Sequence, residues 1–290
     1  MKIGIIGAEN SHSGAIAKII NIEKKINGIT VDYIWGETDI LARKTAEAGR
    51  IPNIVTNPKD MLEKIDAVIV DHRHAKYHLK AAISFVTRGI PAFIDKPFCY
   101  RFEEGLNFLT IAKKYKTPVT SFSILPHQKS FRRFLSNLKQ AGDIVVATLY
   151  GPADIKSKYG GVFFYGIHQV DIALKAFGYD VKQVLVTNAD KIAVAQLFYP
   201  SGLNVFLNLI KTGNTQFSIT AVGTNKTVHQ LLTFDDNTYL SGVKEFTKMF
   251  KTGKEPQTHE QMLKPIQVLE AMQKSLKTGK SEKITLTNKK

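Results

Sequence analysis

The chain has one cysteine, Cys99, and one tryptophan, Trp35, among its 290 residues. A lone cysteine excludes an internal disulfide framework and fits a reducing, cytoplasmic setting. Long apolar runs are also missing. Stretches such as DAVIV (66–70) and AVAQLFY (193–199) fall far short of the ~20 residues a bilayer-spanning helix needs, so no membrane partner is expected. The start of the chain has Lys2 and then glycines, Glu9, Asn10 and His12 in place of a continuous apolar core, and does not read as a signal peptide. Acids are scarce against bases, 25 to 40, for a net charge of +15.

A basic chain invites a nucleic-acid reading, but its distribution argues against one. Lys18, Lys24, Lys25, Lys44, Lys59, Lys113, Lys114 and Lys116 are dispersed at helix-surface spacing. The densest cluster, HQKSFRRF, holds Lys129, Arg132 and Arg133 with Phe131 and Phe134, and no longer run interleaves bases with aromatics. This is a solvated surface that steers anionic ligands; nucleic acid is not the expected partner, and a small molecule is.

With 43% hydrophobic and 22% charged residues, the composition is that of a globular protein, and the length suffices for two domains. Short apolar strands are predicted at 2–7, 30–36, 66–71, 91–95 and 118–123. Helical stretches alternate with them at 13–25, 38–49, 58–65, 75–89 and 102–116. Strands that are apolar throughout and alternate with helices imply a parallel sheet covered on both faces, a doubly wound domain that binds ligands at the carboxyl ends of its strands. From about residue 124 the rhythm changes. A basic helix (128–142), a strand (143–151) and a helix (166–178) precede four β-rich runs at 181–190, 192–200, 203–213 and 215–224, which read as an antiparallel meander. Two helices, 241–253 and 258–279, and a short tail strand at 283–286 close the chain. The expected division is 1–122, a dinucleotide-binding domain, and 123–290, an α/β domain with an open antiparallel sheet, whose closing helices can pack back on the first.

Glycine is missing where the first strand ends. In IIGAENSH the tight-turn glycine, Gly7, is present, but the second and third positions of a G-x-G-x-x-G fingerprint hold Glu9 and His12. The second glycine lets a pyrophosphate approach the backbone, so Glu9 puts negative charge and bulk beside a dianion.

Four ordered blocks carry a resemblance. They are KIGIIGA; the segment KIDAVIVDHRHAKYHLKAAISFVTRGIPAFIDKPF with its DKP; GGVFFYGIHQVDIALKAFG; and the closing FTKMFKTGKEPQT…EQMLKPIQVLEAMQKSLKTGK. With these the chain resembles the Gfo/Idh/MocA family of NAD(P)-dependent oxidoreductases over nearly its whole length. The resemblance implies a Rossmann domain followed by an α/β domain whose sheet serves oligomer contacts, here a homodimer or homotetramer. It implies NAD or NADP as cofactor, and hydride transfer to or from a sugar, polyol or related hydroxyl compound. The alternative is a catalytically silent, ligand-sensing or regulatory member of the family.

By that resemblance Lys96, in the DKP tripeptide after an apolar strand, is the catalytic lysine, and His168 the histidine that moves a proton or positions substrate. Lysine can hydrogen-bond a substrate hydroxyl, and imidazole suits proton transfer near neutral pH. The aspartate that relatives often carry four residues before this histidine is Phe164 here. Tyr165 and Asp171 are candidate substrate-side residues, Asp171 lying one helical turn past His168. The expected dinucleotide contacts are Gly7, Glu9, Asn10, His12, Glu37, His72, Arg73 and Lys96. Glu37 follows the second strand, where an acid pairs with ribose hydroxyls; Arg73 can supply an anion contact that the altered loop lacks. His72, His74 and His78, with Glu9 and His12 near by, superficially suggest metal ligands, but no metal centre is expected.

Overall fold

The computed structural model describes residues 1–284. The chain divides into two compact units: Met1–Phe122 with Asn237–Leu263, and Ser123–Asp236 with the chain from Lys264 onward.

The first unit is built on a six-stranded sheet of β1 (Lys2–Ile6), β2 (Thr30–Trp35), β3 (Asn53–Ile54), β4 (Ala67–Val70), β5 (Ala92–Ile94) and β6 (Val119–Thr120). Its order is β3-β2-β1-β4-β5-β6 and every pairing is parallel. Strands β4 and β5 are buried at every position, as strands covered on both faces must be. The crossovers carry α1 (Ser11–Ala17), α2 (Asp39–Gly49), α3 (His78–Val86) and α4 (Phe102–Lys114). Thr38 caps α2 by accepting the Leu41 N–H at 3.2 Å. Helix α1 runs into a π-helical segment, Lys18–Ile22. The helix expected at 58–65 is only a 3₁₀ turn, Pro58–Met61, because Asn57 and Pro58 start a helix that too few periodic apolar residues sustain.

Late in the chain, α7 (Leu240–Thr252) completes this unit. Its Val243, Phe246, Met249 and Phe250 share one core with Ile16, Ile20, Ile69 and Phe122, and Phe246 stacks on Phe93 at 4.4 Å between centroids. Burying one such ring is worth roughly 1.5–3 kcal/mol, so α7 is a principal source of cohesion here.

The second unit holds α5 (Lys129–Leu138), β7 (Ile144–Pro152), α6 (Val162–Phe177), β8 (Gln183–Asn188), β9 (Ile192–Phe198), β10 (Asn204–Ile210), β11 (Ser218–Gly223), β12 (Thr227–Leu231) and β13 (Glu282–Lys283). Helix α8 (His259–Thr278) runs from the residues of the first unit into those of the second. The sheet order is β12-β11-β7-β10-β9-β8-β13. The four β-rich runs therefore form no plain meander: β7 lies between β10 and β11 and is parallel to β10, while the other pairings are antiparallel. A parallel neighbour needs a long crossover, and the connection through α6 supplies one. Helix α6 starts four residues earlier than its apolar pattern predicts, directly after Gly160 and Gly161, both at positive φ. The tail strand is Glu282–Lys283, paired with β8, and Ile284 N–H still donates to Lys182 O at 2.7 Å; residues 285–286 of the expected run lie outside the described residues. Among the described residues no helix is long and apolar enough to cross a membrane.

Candidate active site

Register sets what meets at the carboxyl edge of the first sheet. Ile6 pairs with Trp35 on one side and Val70 on the other, and Val70 pairs with Ile94. The residues just past these strand ends, Gly7, Glu37, Asp71 and Asp95, are thereby delivered to one place. Gly7 has φ +115°, and a Cβ there would lie 2.6 Å from the Asp71 carbonyl carbon. No other residue fits that turn.

The glycine loop closes on an anion of its own. Glu37 Oε2 accepts the N–H groups of Ala8 at 2.8 Å and Glu9 at 2.9 Å, while Oε1 meets His72 Nδ1 at 2.9 Å. Burial opposes the charge on Glu37, but His72 and the loop N–H donors outweigh it and hold its pKa at about 2. Two backbone donors of the loop are thereby satisfied by one carboxylate oxygen of the chain itself.

Beside it, Asn10 Nδ2 donates to Asp71 Oδ1 at 2.8 Å and Asp95 Oδ2 at 3.1 Å. His12 Nδ1 lies 3.1 Å from Asp95 Oδ1 and 3.8 Å from Asp71 Oδ1, with its ring against Tyr239. Lys96 Nζ is 3.8 Å from Asp95 Oδ2, and all three charged side chains Asp71, Asp95 and Lys96 are buried. Burial and the neighbouring charge of Asp95 push the Asp71 carboxyl well up; burial works the same way on Asp95, but His12 and Lys96 overcome it and pull Asp95 down. Ser13 Oγ is 2.7 Å from Gly7 O and 2.5 Å from Asp71 Oδ2.

The other histidines do not converge as a ligand set. His72 serves Glu37, His74 Nδ1 accepts the Lys76 N–H at 3.2 Å, and buried His78 has Nδ1 3.0 Å from Pro97 O and Nε2 2.8 Å from His72 O. Burial lowers His78, and burial with Lys76 near by takes His74 down to about 4. Arg73 is half-buried in this same turn.

In the second unit His168 sits in the second turn of α6. Its Nδ1 is 2.7 Å from Ser123 Oγ, and its ring meets Tyr165 at 5.5 Å and Phe217 at 5.7 Å. Asp171 does not orient the imidazole directly: its Oδ2 accepts the Ser123 N–H at 2.9 Å and fixes the residue that His168 contacts. Serine, histidine and aspartate are together, but the carboxylate holds the serine backbone and Ser123 is fully buried, so no nucleophilic relay is wired here. Phe164, where the family resemblance implies an acid, packs on Tyr159 and Tyr165 at 5.0 Å each.

Asp71, Asp95, Ser13 and Ser123 stand outside the residues that the sequence marks as ligands. For Asp71, Asp95 and Ser123 the signal was an aspartate or serine ending an apolar run, which becomes a site only once strand order is known; Ser13, inside α1, had no such signal.

Residues 1–122 match a family model described as an oxidoreductase family with an NAD-binding Rossmann fold. No curated protein sequence matches the chain. The fold is shared with solved structures of low identity. Myo-inositol 2-dehydrogenase from Lactobacillus plantarum is 19% identical, with a TM-score of 0.86 and coverage of 98% of this chain and 99% of that one. Scyllo-inositol dehydrogenase from Lactobacillus casei, solved with NAD(H) and scyllo-inositol, is 16% identical, with a TM-score of 0.83 and coverage of 98% and 99%. A probable dehydrogenase from Thermotoga maritima is 17% identical at a TM-score of 0.84, covering 98% and 99%.

Proposed function

We propose that the protein is an NAD(P)-linked oxidoreductase of the Gfo/Idh/MocA type, whose family model residues 1–122 match, and that it acts on a CH–OH group of a sugar, polyol or related small molecule. The observation that carries the reading is the placement of Lys96: a buried ammonium just past β5, beside Asp95, at the sheet edge that also holds the Gly7 turn. Ligands of doubly wound sheets bind at this edge where the strand order reverses, here between β1 and β4.

The residues fit a dinucleotide in two respects. Gly7 leaves room where any Cβ would collide, and the Ala8 and Glu9 N–H groups point at one anionic oxygen, that of Glu37, which a phosphate would have to displace. Asn10, His12, His72 and Arg73 complete the proposed cofactor side. When bound, the nicotinamide would supply or accept the hydride. Lys96 hydrogen-bonds the substrate oxygen and, in the reducing direction, gives a proton to the alkoxide as it forms, while Asp95 holds its ammonium in place. In the second unit His168 and Tyr165 are the proposed substrate-side residues, with Ser123 fixing the imidazole.

The test is a titration of NADH and NADPH followed by fluorescence, together with a screen of inositols, polyols and sugars for reduction of either cofactor. Saturable binding and turnover with one of these compounds supports the reading. Binding with no turnover across the screen removes the oxidoreductase reading; absence of binding removes the dinucleotide itself.

A further inference from the structure

We propose that His12, Asp71 and Asp95, with Asn10 turned to present its amide oxygen, bind one divalent metal ion at the carboxyl ends of β1, β4 and β5. Bonds of about 2.0–2.2 Å put the ligands of a tetrahedral or octahedral shell roughly 3–4 Å apart. His12 Nδ1 lies 3.1 Å from Asp95 Oδ1 and 3.8 Å from Asp71 Oδ1, and the three ligand atoms all fall within 4.8 Å of one another. The set is mixed, one imidazole and two carboxylates, which suits manganese or zinc better than the all-oxygen preference of magnesium or calcium.

This is no solvated acidic patch. Asp71 is 1% and Asp95 5% exposed, yet both carboxylates address the same point from different strands. Burying two such groups face to face is costly unless a cation or a ring of donors answers them. In this structure the Asn10 Nδ2 group occupies that point, 2.8 Å from Asp71 Oδ1, 3.1 Å from Asp95 Oδ2 and 3.3 Å from His12 Nδ1. A neutral amide thus bridges the two carboxyls beside the His12 ring, whose own Nδ1 meets Asp95 Oδ1. Half a turn of the amide exchanges its nitrogen for an oxygen of nearly the same size and converts the plug into a fourth ligand. Lys96 Nζ stands 3.8 Å from Asp95 Oδ2, beyond hydrogen-bond distance, while His12 Nδ1 faces the other oxygen, Oδ1, at 3.1 Å.

The site stands without the dinucleotide; its consequence for the cofactor rests on the reading above. An ion there would add positive charge beside a loop that carries Glu9, the residue that departs from the glycine fingerprint.

The experiment uses the full chain, stripped of metal by chelator and studied without nucleotide, titrated with Mn²⁺ by calorimetry and by loss of the free-ion paramagnetic resonance signal. One ion per chain is expected, with affinity in the micromolar range. His12→Ala and Asp95→Asn should each weaken it by roughly tenfold or more, the scale on which even outer partners of metal ligands count. Asn10→Asp replaces the plug by a further carboxylate and should tighten binding; a gain cannot arise from misfolding. No uptake of Mn²⁺ or Zn²⁺ below millimolar concentration, uptake unchanged in His12→Ala, or Asn10→Asp without tighter binding would each overturn the site. Failure of NADH to bind while Mn²⁺ binds one to one would overturn the cofactor reading and leave the metal site standing.

Discussion

Each unit of the protein gathers a serine, a histidine and an aspartate into one hydrogen-bonded cluster, and the two clusters are wired to opposite ends. In the second unit every group has a matching partner: Asp171 takes a backbone N–H, and Ser123 meets His168. In the first, Asp71 and Asp95 face each other across one amide, Ser13 is pressed between a carbonyl and a carboxyl, and Lys96 and His12 lean on the same aspartate. The residue types are the same, so composition cannot tell these clusters apart. What differs is the crowding of two carboxyls and an ammonium out of water, and such a cluster marks groups kept ready for a ligand or a proton.

The comparison breaks most visibly at Lys96. Lys96→Ala is expected to lower turnover by roughly two to four powers of ten while leaving NADH affinity within a few-fold, as loss of an acid–base group does. Steady-state rates on the best substrate of the polyol screen, with NADH titrations alongside, check this; activity that survives would take Lys96 out of the chemistry.

Next in size is the Glu37 clasp. Its folded pKa of about 2 lies below the ordinary 4.5, so its stabilisation is complete above pH 4.5 and is lost as the pH falls towards 2. Integrated over that window it amounts to at most about 3 kcal/mol. Glu37→Gln should therefore be less stable at neutral pH, with the gap to the parent closing between pH 4.5 and 2. Urea unfolding followed by the single tryptophan, Trp35, which ends β2 two residues before Glu37, reads this directly. A gap that stays constant with pH would show that the clasp carries no net stability.

The quieter cluster should respond more mildly. Ser123→Ala removes the partner of His168 Nδ1 and is expected to cost about 1–3 kcal/mol, the penalty for leaving one buried polar group unanswered. Thermal unfolding of the variant measures it, and a neutral result would mean that the ring finds another partner. The smallest effect is expected at Glu9. Glu9→Gly should tighten NADH binding about tenfold at low salt, for a charge a few ångströms from the phosphates at a partly screened surface, with the gain shrinking as salt rises. Unchanged or poorer affinity in this variant would mean that Glu9 does not oppose the phosphates.

Much of the frame was legible from residue patterns. Apolar strands alternating with capped helices announced the parallel sheet, and the DKP run located Lys96 at a strand end. The pairing of β7 with β10 was not, since strand order in an open sheet depends on crossovers that no local pattern encodes. The site was half legible. Glu37 was visible as an acid after β2, but its use as the loop's own anion appears only when Ala8 and Glu9 are seen to turn their N–H groups towards it. Asp95 was hidden in plain view as the first letter of DKP, because what it faces, His12 and Asn10, lies more than eighty residues away in the chain.

The discontinuity of the first unit bears on how the protein is made. Its core needs Phe246 and the rest of α7 against Phe93, Phe122 and Ile16, yet more than a hundred residues of the second unit are threaded between them. At ribosomal speeds of about 5–20 residues per second, the nascent sheet waits roughly 6–25 s with one apolar side uncovered. The second unit's first hundred residues emerge during that wait. During synthesis, then, the segment that would bind the dinucleotide begins to fold first and finishes late, and its exposed phenylalanines make a target for chaperones until residue 250 has left the exit tunnel.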